Sequence, residues 1–323
     1  MTNRAPASAG ALHRAAGCAL AASAVLSAAA AIVVAPASAA VRHYWVAAEP
    51  TGWNVVPNGK DAIMGELYEP EKTVFPTVVY RRYTRGWRRP LRNASVASVD
   101  HNLIPGPLIR ARVGDRILVH FRNRDTLFRR PHSMHFHGVR YRVSSDGAFL
   151  PGFSGPDADV KPGRSFTYHL RAGRDSVGVW PYHDHSPSME ESIAGGMYGM
   201  LSIRGRHERR PDREFVVVFS STREFETIDG RAFVGNTPIF RARIGQRVQW
   251  DVLAMGSEHH TFHVHGHRWL QPDGTPADTR TVGPAESFRV HWREDAPGTW
   301  LYHCHVEEHM RRGMIGLYRV SRR

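Results

Sequence analysis

One phrase is spoken twice in this chain, and the repetition restricts the fold more than any other feature. Pro105-Gly106-Pro107-Leu108-Ile109-Arg110-Ala111-Arg112-Val113-Gly114-Asp115-Arg116-Ile117-Leu118-Val119-His120-Phe121 returns as Ile239-Phe240-Arg241-Ala242-Arg243-Ile244-Gly245-Gln246-Arg247-Val248-Gln249-Trp250. Each copy is followed by a His-x-His-Gly element, at His135-Phe136-His137-Gly138 and His263-Val264-His265-Gly266. A Pro-Gly or Pro-Ala stretch and an alternating run come next, at 162–168 and 284–290. Each copy then reaches an aromatic-x-His-x-His, at Tyr182-His183-Asp184-His185 and Tyr302-His303-Cys304-His305, and ends in a Gly-Met-rich run. Self-similarity in fixed order means two copies of one domain. Within each copy the apolar residues alternate, and the Gly-Asp of the first copy reads as the turn of a hairpin-like unit. Val41 to Val46 and Thr77 to Tyr83 read as further short strands. Many short strands separated by close turn residues suit a β-sandwich. The chain is therefore expected to be all-β, with domains at 40–206 and 207–323 joined within Arg204 to Arg213.

The first 39 residues are a different material. Arg4 and Arg14 precede an apolar run from Ala19 to Val34, and Ala37-Ser38-Ala39 has the small-residue pattern of a cleavage site. The expectation is a secretory leader, so the mature protein is exported, either secreted or held in the cell envelope. No twin-arginine pair precedes the run, so a Sec-type route is expected. Its loss removes two arginines and no acidic residue, lowering the formal net charge from +13 to +11. The arginines are scattered, which describes a cationic surface rather than a nucleic-acid groove, and no nucleic-acid partner is expected. No other stretch approaches the roughly 18 apolar residues of a membrane span. With Cys18 gone, Cys304 is the one remaining cysteine, so no internal disulfide can form and the thiol needs another use.

Metal ligation is that use. Four His-x-His pairs occur, two per repeat, and on a strand the i, i+2 spacing puts both rings on one face while the residue between points the other way. Cys304 lies between His303 and His305, so one strand can serve two metal sites. A thiolate with two imidazoles and a weak thioether is the donor set of a blue-copper centre, and Cys304, His309 and Met314 supply three of those donors.

These motifs, in this order and over essentially the whole mature chain, resemble the multicopper oxidases and, within them, the two-domain bacterial laccases. The first domain, with His43-Tyr44-Trp45-Val46-Ala47-Ala48-Glu49, is also similar to ceruloplasmin-type domains. The resemblance implies two cupredoxin-like Greek-key β-sandwiches and four coppers per functional unit: one type 1, one type 2 and two type 3. It implies that His260, Cys304, His309 and an axial Met314 hold the type 1 copper, with Met310 the competitor for the axial place. His135 and His263 fall on the type 2 positions, and His137, His183, His185, His265, His303 and His305 on the type 3 positions. Tyr141 and Asp146 match a stretch beside the cluster, Asp146 as proton relay. His259 and His267 fall outside the ligand spacing and read as supporting groups. Asp184 occupies the place of a thiolate, so the first domain should hold no type 1 copper; a copper nitrite reductase would need that thiolate. The implied reaction takes electrons singly from a phenolic or other aromatic reductant at type 1 copper and reduces dioxygen to water at the three-copper cluster. The Cys304–His303/His305 strand is the wire. Clusters at subunit interfaces of a homotrimer are implied, because the two domains of one chain need not bring their histidines together. A metallo-oxidase acting on Fe(II) or Cu(I) is the nearest alternative, with Glu307 and Glu308 or the Met189, Met197 and Met200 group as cation holders. A simple electron carrier would use only the type 1 set and about one copper per chain.

Overall fold

In the Arg116–Asn123 segment every second side chain is buried, the period expected of a strand with one face against a core. The same rule builds the rest. The computed structural model describes residues 39–91 and 103–322; the leader expected at 1–39 lies outside the described residues apart from Ala39. The first half holds β1 (Val41–Asn54), β2 (Val74–Tyr83), β3 (Ile109–Arg112), β4 (Arg116–Asn123), β5 (His135–Phe136), β6 (Ser165–Arg171), β7 (Gly178–His183) and β8 (Tyr198–Arg204). The second holds β9 (Arg213–Thr222), β10 (Phe225–Ile228), β11 (Ile239–Arg243), β12 (Arg247–Met255), β13 (His260–Val264), β14 (Trp269–Leu270), β15 (Pro276–Ala277), β16 (Thr279–Val282), β17 (Ser287–Arg293), β18 (Gly298–Cys304) and β19 (Ile315–Ser321). Three short helices, α1 (Pro70–Thr73), α2 (Met189–Ala194) and α3 (Glu307–Arg311), sit in connections.

The sheets restate the sequence repeat. In the first half the orders are β2-β1-β4-β6 and β3-β8-β7-β5; in the second, β10-β9-β12-β17 and β11-β19-β18-β13-β16. Even the parallel pairs correspond, β1 with β4 as β9 with β12, and β3 with β8 as β11 with β19. One expectation is corrected here. The runs on either side of Gly114-Asp115 do not form a hairpin, because β3 pairs with β8 and β4 with β1 and β6. The turn carries the chain between facing sheets, so Ile109 and Ala111 meet Ile117, Val119 and Phe121 across a core instead of along a ladder. Alternation reports a half-buried strand but is silent on its partner.

Each sandwich has its own core, one around Phe121, Phe136, Tyr168 and Tyr182, the other around Phe215, Phe240, Trp250 and Tyr302. A third apolar cluster joins them: Trp53, Val55, Phe75, Ile104, Val179 and Met200 from the first half pack with Val216, Val218, Phe225, Phe233 and Leu253 from the second. The Trp53 indole also donates to the Gly230 carbonyl at 2.7 Å.

Candidate metal centre

The histidine pairs lie at strand ends, and strand register sets them face to face. His135 opposes His183 across β5 and β7, and His263 opposes His303 across β13 and β18. With their i+2 partners they form two quartets. Ring centroids are 5.0–5.7 Å apart in His135, His137, His183 and His185, and 5.1–5.5 Å apart in His263, His265, His303 and His305. Among the described residues, every ring contact between cluster histidines stays inside one quartet.

Backbone carbonyls orient the rings. The Nδ1–H of His135 donates to the Asp146 carbonyl at 2.7 Å, that of His183 to Asp184 at 2.9 Å, that of His263 to Asp278 at 2.8 Å and that of His303 to Cys304 at 2.8 Å. Each such bond leaves Nε2 with its lone pair turned outward, the tautomer a metal requires. His137 and His183 then present Nε2 atoms 3.2 Å apart, and His265 and His303 present theirs 3.0 Å apart. Two imidazoles on one metal, at bonds of about 2.0–2.1 Å and a tetrahedral angle, stand about 3.3 Å apart. Burial, with the neighbouring histidines adding to it, lowers the pKa of His137, His183 and His303 to about 4, so these rings stay neutral at physiological pH.

The other face of the Cys304 strand meets a different corner. His260 ends β12's loop at the start of β13, and His309 comes from α3; their Nδ1 atoms are 3.2 Å apart. Cys304 Sγ lies 4.0 Å from the first and 3.7 Å from the second, close to the roughly 3.5 Å that sulfur and imidazole nitrogen keep on a shared metal. Thr261 N–H donates to the sulfur at 3.3 Å. Burial lowers His260 to about 3, helped by His309 and His259, and raises the Cys304 thiol. Met314 is fully buried in the same core as Cys304, and its carbonyl accepts the Cys304 N–H at 3.1 Å, whereas Met310 is half-buried on α3. The donors therefore fit a soft metal in this corner and an imidazole-bound metal in each quartet.

The family models add to this geometry. The descriptions "Multicopper oxidase" match residues 83–208 and 208–323, one per sandwich. The chain belongs to the multicopper oxidase family. The chain is 32% identical over 246 residues to a "Probable nitrite reductase-hydroxylamine oxidoreductase fusion protein" of Kuenenia stuttgartiensis, covering 69% of the chain and 28% of that relative. It is 27% identical over 353 residues to human "Ferroxidase HEPHL1", covering 87% of the chain and 29% of that relative. The chain thus spans less than a third of the length of these curated relatives. Among solved structures it is similar to one titled "Crystal structure of multicopper oxidase", with TM-score 0.66 and 23% identity over 87% of this chain and 89% of that one.

The residues around the quartets divide sharply by role. Tyr141 lies edge-on to His135 at 6.3 Å, and burial, with Asp146 beside it, pushes its hydroxyl pKa up to about 12. Asp146 offers His135 its carbonyl at 2.7 Å and its carboxylate only at 3.5 Å. His267 is buried behind the second quartet; its Nδ1–H donates to the His265 carbonyl at 2.7 Å and its Nε2 meets Glu294 at 2.9 Å. His259 is exposed at the surface beside Gly283. Of the Met189, Met197 and Met200 group, Met189 opens α2. Met197, just before β8, packs in the first sandwich core, whereas Met200 on β8 packs in the seam between sandwiches. One residue escaped the sequence reading. His132 is buried between Asp184 at 3.2 Å and Asp125 at 3.2 Å, and the spacing His132-x-x-His135-x-His137 repeats His260-x-x-His263-x-His265.

Proposed function

We propose that this multicopper oxidase is laccase-like: it oxidises phenolic or other small aromatic reductants one electron at a time and passes the electrons to dioxygen. One observation carries the reading. Cys304 places its sulfur in the His260/His309 corner, while its chain neighbours His303 and His305 enter a histidine quartet. Copper bound in these sites, four per functional unit, supplies the one-electron transfers and the reduction of dioxygen to water. The chain's own residues do the rest. Cys304, His309, His260 and Met314 make the type 1 corner, and the covalent path through Cys304 to His303 and His305 shortens the route to the cluster. His135 and His263 are assigned to the type 2 position, and His137, His183, His185, His265, His303 and His305 to type 3. Asp146, hydrogen-bonded with Tyr141 and held against His135, is placed to move a proton to the cluster.

The two quartets belong to different sandwiches, which supports closure by a second copy of the chain, the first quartet of one subunit meeting the second quartet of the next in a homotrimer. The loop between the two histidine pairs of the first quartet supports this too. Phe149 N–H donates to the His185 carbonyl, and the same loop exposes Val143, Leu150 and Phe153 at 88%, 59% and 85%. The oxidase is proposed to act outside the membrane that its leader crosses, secreted or in the cell envelope.

A metallo-oxidase reading is supported by the similarity to the human and mouse ferroxidases. Against it, Glu307 and Glu308 stand in the first turn of α3, and Glu308 is 72% exposed and turned to Arg312 at 3.7 Å. Among the described residues, the three groups able to surround an ion include neither glutamate. Oxygen uptake by copper-loaded protein with a bulky phenol, Fe(II) and Cu(I) in parallel decides: faster turnover of either metal ion than of the phenol overturns the laccase reading. Copper content near one per chain overturns the oxidase itself.

A further inference from the structure

The two copies of the repeat differ at one turn in a way the metal chemistry does not use. In the first copy, Asp115 in the β3–β4 turn is 3% exposed and gathers three donors: the Arg112 N–H at 3.0 Å, the Arg42 Nε–H at 2.9 Å and the Ala40 N–H at 2.9 Å. Its own carbonyl accepts from Ala172 N–H, and the carbonyl of Ala40 accepts from Arg116 N–H. In the second copy the equivalent residue is Gln246. Its side chain accepts the Arg243 N–H at 2.9 Å and its carbonyl accepts from Glu294 N–H, so the turn itself is the same.

What differs is the strand that arrives beside it. Arg42 pairs with Ile117 on β4, and Arg213 pairs with Val248 on β12, which makes Pro211 the counterpart of Ala40. Proline has no N–H to donate, and there the partner is a neutral amide. Only the copy in which Ala40 leads into the strand has a carboxylate at this turn position. Ala40 is also the residue that follows Ala37-Ser38-Ala39.

We infer that cleavage after Ala39 creates a binding group for Asp115: the new α-ammonium of Ala40 docks on the buried carboxylate and pins the first strand of the mature oxidase. The proposal rests on the export reading of the leader and not on which reductant is oxidised. Before cleavage Ala40 donates a neutral peptide N–H; afterwards the same nitrogen carries a positive charge, and a charge-assisted bond to a carboxylate is roughly twice as strong as a neutral one. Peptide hydrolysis supplies the amine, with water as the co-reactant and the leader's Ala39 carboxylate as the other product. Apart from Asp115, the charged groups around the terminus are basic. Arg42 shares Asp115, Arg116 follows it, Arg206 lies against Gly114, and Arg140, Arg142, His169 and Arg171 line the cleft of about 920 Å³ that Ala39 and Ala40 border. Among these described neighbours Asp115 is the carboxylate in contact with the terminus, so the ammonium has one place to go.

The test compares copper-loaded protein starting at Ala40 with protein starting at Ala35, each with Asp115 and with Asp115→Asn. The chain starting at Ala40 is expected to need more urea to unfold than the extended chain, and the Asp115→Asn pair to coincide. A second reading does not depend on the variant folding. Acylation of the Ala40 amine at pH 8 is expected to be at least about fivefold slower in the native protein than in urea, since raising an α-amine by one unit from its ordinary pKa of about 7.7–8.0 leaves about fivefold less free amine at that pH. Equal urea midpoints for the two starts, a difference that survives Asp115→Asn, equal acylation rates, or an exported chain whose mass begins anywhere but Ala40 each overturn the proposal.

Discussion

The corner around Cys304 and the corner around Asp184 are the same piece of backbone put to opposite uses. Cys304 N–H donates to the Met314 carbonyl at 3.1 Å, and Asp184 N–H to the Met197 carbonyl at 3.0 Å. Thr261 N–H donates to the Cys304 sulfur at 3.3 Å; Ser133 N–H donates to the Asp184 carboxylate at 2.7 Å. His260 faces His309, whereas His132 faces two carboxylates and α2 carries no histidine. Burial drives His260 to about 3 and leaves it a neutral ligand. Burial also pulls on His132, but the hydrogen bonds and charges of Asp184 and Asp125 outweigh it and raise its pKa. The first corner is built to receive a cation from solution, and the second carries its own in the form of a proton.

That contrast can be broken in steps of decreasing size. Cys304→Ser removes the thiolate and should abolish the visible absorption of the type 1 site. Oxygen consumption from an organic donor should fall by more than the roughly 100-fold that losing an outer partner of a ligand costs. Retention of the blue colour would refute the assignment. Asp184→Ala should leave that colour intact and instead destabilise the protein by about 3–5 kcal/mol, the usual cost of breaking a buried pair from one side, read as a shift in the urea midpoint. His267→Phe should weaken copper at the second quartet by about 10–100-fold while sparing the first, which has Val139 at the corresponding position. Equal weakening of both quartets would deny His267 its positioning role.

The smallest effect is in pH. The raised pKa of His132 means its contribution is complete below the ordinary histidine value of about 6.5 and is lost as pH rises through the folded value. Asp125 and Asp184 are lowered, burial working against the change and their hydrogen bonds and the His132 charge prevailing. Their contribution is complete above the ordinary carboxylate value of about 3.9 and is lost as pH falls through the folded values. The stability that His132→Asn removes should therefore be greatest between those limits and shrink on both sides. A difference that only grows with pH would show that His132 is neutral.

Much of this molecule could be read before it was seen, and the omissions have physical causes. The repeat and the i, i+2 histidines are local patterns, and local patterns survive in a linear text, so the sandwiches and all four pairs were legible. The pairing of β3 and β4 was not, because an alternating strand looks the same whichever neighbour it bonds. The surroundings of the methionines were hidden for a related reason: Met197 and Met200 are close in the text but pack in different apolar clusters. His132 was readable from its spacing and was passed over because one of its two partners, Asp184, comes from a distant part of the chain.

The apolar seam through Trp53, Phe75, Val218, Phe225 and Leu253 has a consequence for how the duplication is now constrained. Whatever autonomy each half once had, neither can be excised today without stripping a greasy flank bare. The polypeptide should melt in one step, and either half made alone should fall out of solution.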